Sequence, residues 1–370
     1  MLITIRNPEK YLSEPDALKN CGKYTSQYGR RIFAIGGKNA LDAVMGRVKE
    51  TLIESECEVE FHIMDGYPSH DKIIEYTILS YQFDADLIMG IGGGKVIDIA
   101  KAVGNYRSLP VVCIPTVATS AVAWTSKSIL YKKDGSYDFT QINKDNAKLV
   151  IADTDIIRSA PRRYIIAGAI EAISHYYELE PLLDKYAPDT VLSQMIAIAK
   201  EIKNTIDGYK DKLLFGELST EEFQEIIDSV IYLGGMCTSV NKGLVYRGFA
   251  HPFARACTKE SASNYILMGE KVGYGLLVQF ILKNKTDSHI EDFAHFLKDC
   301  KCIFTFDSLG YGEDEIYELS KRIIRETPMV RASGFADDAI QITRAIQKAD
   351  SILNAISVKD DFVKNNADGF

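Results

Sequence analysis

The sequence predicts an α/β N-terminal domain built on a parallel sheet, followed by an all-helical C-terminal domain, and three observations carry that expectation. Up to about residue 155, short β-rich runs alternate with helical patterns. From about Ile156 onward, an apolar period of about 3.6 residues takes over. At the end of one apolar run stand Gly92-Gly93-Gly94, and directly beyond them Val96, Ile97, Ala100 and Val103 recur at helical spacing. Strands separated by helices imply right-handed βαβ crossovers and a parallel sheet, with ligands at the carboxyl ends of the strands. At 370 residues the chain exceeds the size at which one core stops growing. Two domains are expected, 1–157 and 158–370.

In chain order, strands are expected at 31–35, 59–63, 86–89 and 110–114, with helices at 41–53 and 72–81 between them. Residues 128–138 read as a β-hairpin whose turn is Asp134-Gly135, and 149–152 as a last strand. In the second half Val191, Leu192, Met195, Ile198, Ala199 and Ile202 mark one helix, and Ser219-Thr220-Glu221-Glu222 opens another with a capping box. Further helices are expected at 228–236, 271–282, 313–325 and 336–353, with a cleft between the domains. The polar tail from Lys359 to Phe370 is expected to fray.

The glycine segment is the first candidate site. Without Cβ atoms, glycines let a phosphate approach the backbone, and the amides that open a helix point at it with a partial positive charge. Lys95 can add a full charge. A glycine turn also serves a plain strand-to-helix reversal, so its neighbours must decide.

Composition narrows the function classes. Hydrophobic residues make up 46% and charged residues 25%, and mean hydropathy is near zero, as in soluble globular proteins, whether enzymes or binding modules. Net charge is -8 with the 43 basic residues scattered, so no concentrated basic face marks a nucleic-acid partner. The N-terminus lacks the apolar stretch of a signal peptide, and no run reaches the ~20 residues of a membrane span. A cytoplasmic protein is expected. The seven cysteines, mostly in apolar runs, suit reduced and buried thiols. Cys300-Lys301-Cys302 lacks a second pair and is given no metal role.

The helical half holds a second constellation. Within 161–178, Glu171 and His175 are four apart, so on a helix both project from one face and could share an ion. The same spacing also serves a surface ion pair. About eighty residues later, Gly248-Phe249-Ala250-His251 offers another imidazole, followed by Leu267-Met268-Gly269-Glu270 at a helix start.

Taken together these segments resemble the iron-containing alcohol dehydrogenase and glycerol dehydrogenase superfamily, which includes the dehydroquinate synthases. The resemblance runs from Pro8-Glu9-Lys10-Tyr11 to Thr327-Pro328-Met329. It is most specific at residues 92–101, at Pro115-Thr116-Val117-Ala118-Thr119, along 161–178 and at 269–275. It implies an N-terminal dinucleotide-binding domain, a helical C-terminal domain, NAD or NADP as cofactor, and a divalent metal (zinc, iron or nickel) in the intervening cleft. It also implies a small polyol, alcohol or hydroxy acid as substrate, and a homo-oligomer.

Carried over residue by residue, the resemblance places Gly93, Gly94, Lys95 and Asp98 around the pyrophosphate. It puts Thr116, Thr119, Thr125, Lys127 and Tyr131 near the rest of the dinucleotide. The metal positions depart from the glycerol dehydrogenase pattern of Asp, His, His: Glu171 stands for Asp, His251 is retained, and Met268 replaces the second His. A thioether is a soft, neutral ligand, poorly suited to a Lewis-acidic zinc or iron. His175 can compensate, because iron-type members carry a ligand His four residues after the Asp. Glu171, His175 and His251 would then be the metal ligands, with Glu171 and His251 the catalytic pair, leaving a position open for substrate oxygen.

Three further departures bear on specificity. Gly37 stands where glycerol dehydrogenases carry an Asp that binds the adenine ribose. A ribose 2′-phosphate is then not repelled and Lys38 can pair with it, so NADP is expected to serve at least as well as NAD; Lys38 as a solvated turn residue is the other reading. Ala121 replaces an Asp that binds polyol hydroxyls, and Ala123-Trp124-Thr125 is similar to a branch that reduces 2-oxocarboxylates with NADPH. Lys127 could meet a substrate carboxylate or phosphate, or face solvent. The resulting expectation is a glycerol dehydrogenase-like oxidoreductase using metal-assisted hydride transfer. The alternative is a dinucleotide-binding protein that has lost its metal site and its catalysis. A second enzymatic alternative, a dehydroquinate-synthase-like lyase, is hinted at by Glu171 and Gly248-Phe249-Ala250-His251, but the sequence shows no match to that family's lysine-rich phosphate site.

Overall fold

The computed structural model describes residues 3–186, 189–241, 248–259, 263–302, 304–326, 330, 334–336 and 338–356. The polar tail expected to fray, from Lys359 onward, and Thr327-Pro328-Met329 lie outside the described residues. The chain divides into two compact units, Met1–Ala160 with Leu218–Asn241, and Pro161–Glu217 with Lys242–Phe370.

In the first unit the strands are β1 (Thr4–Ile5), β2 (Lys10–Glu14), β3 (Arg31–Gly36), β4 (Glu58–Ile63), β5 (Leu87–Gly92), β6 (Val111–Pro115), β7 (Lys127–Tyr131), β8 (Tyr137–Ile142), β9 (Leu149–Asp153) and β10 (Val240–Asn241). Six of them form one sheet in the order β2-β9-β6-β5-β3-β4, and every pairing in it is parallel. Central β5 is buried along its whole length, which is why its sequence reads as an unbroken apolar run. Edge strand β4 alternates and exposes Glu58 and Glu60, charges that discourage pairing with another chain. The helices Lys38–Glu54, His70–Gln82 and Gly94–Arg107 are the crossovers. Leu41, Val44, Val48 and Leu52 from the first of them pack on Ile32, Ala34, Leu87, Met89 and Ile91. Burying each such side chain stabilises the fold by roughly 1.5–3 kcal/mol.

The expected strands and hairpin form, with bounds shifted by a few residues. β7 and β8 pair antiparallel, and in their turn Asp134 Oδ1 accepts from Ser136 N at 2.9 Å and Ser136 Oγ at 2.6 Å. β2 was not expected, because Lys10, Ser13 and Glu14 interrupt any apolar run; edge pairing with β9 supplies its hydrogen bonds.

The segment 218–241 belongs to the first unit rather than to the helical one. Its helix Thr220–Asp228 opens with the expected capping box between Ser219 and Glu222. The expected helix 228–236 divides into a π-helical stretch, Ser229–Leu233, and a helix, Gly234–Ser239. β10 then pairs with β1. Tyr11 Oη donates to Asp228 Oδ1 at 2.7 Å, Gln224 Nε2 donates to the Ser13 carbonyl at 2.7 Å, and the Tyr232 ring lies against Tyr11 and Trp124. A single cut at 157/158 falls inside the helix Thr154–Ser159 and leaves this returning segment on the other side.

The described residues of the second unit are helices and turns. The longer helices are Arg162–Leu179, Thr190–Phe215, Ala250–Cys257, Met268–Leu282, Asp287–Asp299, Glu313–Glu326 and Ala339–Ala355. Residue 336 precedes the last of these, because Asp338 caps its start by accepting from Ile340 N. Arg162–Leu179 and Met268–Leu282 pack together at the unit's centre, their buried residues including Ile166, Ala169, Ile170, Ile173, Leu276, Leu277 and Phe280.

Candidate functional site

Each unit carries its own chemistry. In the first, β5 ends at Gly92, whose φ of 146° is a conformation side chains other than glycine's rarely adopt. The chain turns there into the helix Gly94–Arg107, capped by Gly93 with no side chain bonded to its opening amides. Helix-opening amides without a side-chain cap are what a phosphate needs. Lys95 is half-buried, its ammonium 4.0 Å from the centre of the Tyr67 ring, and burial lowers its pKa.

Asp98, also carried over to the pyrophosphate, lies inside the protein. It pairs with Lys101 at 3.2 Å, and burial raises its pKa to about 6 against the opposing pull of Lys101. Lys101 Nζ in turn donates to the carbonyls of Val122 at 2.8 Å, Thr125 at 3.1 Å and Lys127. The pair anchors the loop and strand that carry Thr125, Lys127 and Tyr131. Thr116 is buried just after β6, and its N–H donates to the Gly92 carbonyl at 3.3 Å. Thr119, Thr125 and Lys127 are half-buried. Tyr131 packs 5.7 Å from Tyr67, and burial pushes its hydroxyl pKa up.

Gly37 caps the helix Lys38–Glu54, where an added Cβ would meet only Val96 Cγ2, at 3.6 Å. A Cβ therefore fits there without a clash, so glycine is not forced by packing at that atom. Lys38 is exposed on the first turn of that helix. Ala121 is buried and opens the short 3-10 turn Ala121–Ala123. Trp124 follows it, fixed by its indole N–H to Asn7 Oδ1 at 3.1 Å.

In the second unit, Glu171, His175 and Glu178 stand at i, i+4 and i+7 on the helix Arg162–Leu179, all buried. His251, on the first turn of Ala250–Cys257, meets them from the far side. Its Nε2 lies 3.4 Å from Glu171 Oε1, and His175 Nε2 lies 3.9 Å from the same oxygen. The two imidazoles stack at 5.5 Å between centres and 8° between planes. Glu171 thus lies near both imidazoles, whereas the group whose ligand atoms all lie close to one another is His175, Glu178 and His251.

Glu178 is the participant that sequence reasoning missed. It accepts from the backbone N–H of His251 at 3.0 Å and bonds the ring at Nδ1. Ligand atoms of His175, Glu178 and His251 lie within 4.8 Å of one another, so distance alone would also admit Glu178 as a ligand. The signal was present: Glu178 lies one turn beyond His175 on the face that Glu171 opens. Two imidazoles and a carboxylate, buried and close, are a donor set that zinc or iron accepts. Met268, where a second His was expected, is part-exposed at the first residue of Met268–Leu282. The helix start it occupies is held by Arg163, which donates to Glu270 Oε1 at 2.6 Å and Oε2 at 2.7 Å.

The first unit thus holds a parallel sheet with a glycine-rich helix start, and the second a buried His/Glu cluster whose donors suit a metal. Residues 8–154 match the model of the iron-containing alcohol dehydrogenase family. The glycerol dehydrogenase of Citrobacter freundii is 27% identical over 362 residues, covering 95% of this chain and 98% of that protein. Hydroxycarboxylate dehydrogenase A of Escherichia coli is 26% identical over 287 residues, covering 76% and 78%. The crystal structure of glycerol dehydrogenase from Schizosaccharomyces pombe superposes with a TM-score of 0.83 at 23% identity, over 95% of this chain and 91% of that one. The chain is thus similar to the iron-containing alcohol dehydrogenase family over residues 8–154, and to glycerol dehydrogenases over nearly its whole length. No helix among the described residues is long and apolar enough to cross a membrane.

Proposed function

We propose that the chain is an NAD(P)-dependent alcohol/polyol dehydrogenase acting on a small polyol, alcohol or 2-hydroxy/2-oxo acid, with a divalent zinc, iron or nickel ion held by Glu171, His175 and His251. The observation that carries this reading is the meeting of those three side chains in one buried cluster, although His251 is 80 residues from Glu171. The cluster favours a working site over a degenerate one, since His175 stands beside His251 where Met268 cannot serve. When bound, the metal supplies Lewis acidity toward a substrate oxygen, and the dinucleotide supplies or accepts the hydride.

The chain's own residues divide the remaining work. Gly93, Gly94 and Lys95 receive the pyrophosphate, through helix amides and one ammonium. Asp98 and Lys101 support the segment carrying Thr125, Lys127 and Tyr131, which with Thr116 and Thr119 line the rest of the dinucleotide site. Gly37 leaves room for a ribose 2′-phosphate and Lys38 pairs with it, so NADPH serves at least as well as NADH. Ala121 in place of a carboxylate that would hold polyol hydroxyls, and Lys127 as a cation available to a substrate carboxylate, support 2-oxo acids within the proposed range.

Elemental analysis of protein purified without added metal or chelator, repeated on His175→Ala, tests the site. Near-stoichiometric zinc, iron or nickel in the wild type that is lost in the variant is the expected result. A wild type that takes up no metal even on reconstitution, and turns over no polyol or 2-oxo acid with either nicotinamide, would overturn the reading.

A further inference from the structure

We propose that Glu178 is a positioning residue that sets the tautomer and aim of His251, rather than a metal ligand; this rests on the reading of the cluster as a metal site. A carboxylate offers only acceptors, so its bond to the ring at Nδ1 requires Nδ1 to carry the proton. Nε2 is then the bare nitrogen, and Nε2 is the atom that faces Glu171 Oε1, 3.4 Å away. An ion shared by His251 and Glu171 must use Nε2, on the opposite edge of the ring from Glu178.

The other Glu178 oxygen takes the backbone N–H of His251 at 3.0 Å, so one buried side chain fixes both ends of the residue. The approach to His251 is clamped in the same manner. Gln279 Oε1 accepts from Phe249 N at 2.9 Å, and its Nε2 donates to the Tyr177 carbonyl at 2.7 Å. A Cβ on Gly248 would fall 2.7 Å from both Gln279 Oε1 and Glu178 Cγ, so only glycine fits beneath the clamp. Gln279 and Glu178 together hold the Gly248–His251 turn against the helix that carries Glu171 and His175. Outer carboxylates that fix a ligand histidine in this manner typically change metal affinity by 10–100-fold when removed.

The test has a metal-free arm and a metal arm. With ¹⁵N-histidine labelling of the apoprotein, and the His251 signals assigned by their loss in His251→Gln, the wild type should show a protonated Nδ1 and a bare Nε2. Glu178→Ala should move the proton to Nε2. Glu178→Gln, whose carbonyl oxygen still accepts from Nδ1–H, should keep the wild-type tautomer. In chelator competition with Zn²⁺, Glu178→Ala should bind about 10–100-fold more weakly and Glu178→Gln should recover part of that loss. A wild-type His251 protonated at Nε2 would overturn the proposal. So would zinc affinity unchanged in Glu178→Ala, or zinc loss as complete as in Glu171→Ala with the tautomer unchanged, which would make Glu178 a ligand. If the wild type binds no zinc, iron or nickel, the metal reading fails, and the tautomer arm alone decides whether Glu178 aims His251.

Discussion

The proposed phosphate cradle is built from backbone and the histidine cluster from side chains, and the two differ in what they demand of the sequence. At Gly92–Lys95 the working groups are helix amides, and the sequence need only remove obstacles: a φ of 146° at Gly92 and a cap without a side chain at Gly93. At Glu171, His175, Glu178 and His251 every working group is a named side chain, brought together from two helices. A backbone site is local and survives changes in neighbouring side chains. A side-chain site is distributed, and a ligand can move from one position to another, as we propose for His175 in place of Met268.

This contrast predicts separable losses. The largest is expected at the side-chain site: His251→Ala should remove the bound metal and lower kcat/KM by about a thousandfold or more, since the Lewis-acid contribution is several kcal/mol and each 1.36 kcal/mol is tenfold. Dinucleotide affinity, read by nicotinamide fluorescence, should change little. A matching loss of dinucleotide binding would break the division between the sites.

At the backbone site the mirror experiment is Lys95→Ala. One charge-assisted contact is worth about 1.5–3 kcal/mol, so the dinucleotide Kd should rise by roughly 10–100-fold while metal content stays at the wild-type level. Because the amides remain, binding should weaken without disappearing. Gly37→Asp is a subtler probe of the same region. A Cβ has room there, and a carboxylate facing the ribose should lower the preference for NADPH over NADH by about tenfold, measured as the ratio of kcat/KM values. An unchanged ratio would mean that the 2′-phosphate lies elsewhere.

The same contrast explains what could be read from the sequence. The Gly92-Gly93-Gly94 turn and the strands beside it were legible, because a buried parallel strand is an apolar run and a glycine turn is local. β2 was not, since an edge strand with Lys10, Ser13 and Glu14 shows no such run and becomes a strand only on pairing with β9. The return of 218–241 to the sheet unit was equally hidden: the amphipathic helix Thr220–Asp228 states that one face is buried, not against what. In the cluster, Glu171, His175 and His251 came from spacing joined to a family resemblance. Glu178 was overlooked because its role depends on which ring nitrogen of His251 it meets, a three-dimensional fact.

The smallest expected effect concerns the buried ion pair behind the cradle. Folded Asp98 holds its proton up to about pH 6, against an ordinary 3.8, so between those values the folded state binds more protons than the unfolded one. Stability contributed by this group is therefore highest below pH 4 and falls as pH rises toward 6, after which the penalty is constant. Asp98→Asn abolishes that titration and leaves Lys101 beside a neutral side chain, as protonated Asp98 does in the wild type at low pH. The variant should match wild type near pH 4 and become the more stable of the two between pH 4 and pH 6.5, by up to about 3 kcal/mol, the worth of roughly two pH units at 1.36 kcal/mol each. Urea unfolding at pH 4, 5, 6 and 7 measures it. A variant less stable than wild type at every pH would mean that Lys101 keeps Asp98 ionised throughout, making the pair a stabilising anchor for the loop 122–127 rather than a tolerated burial.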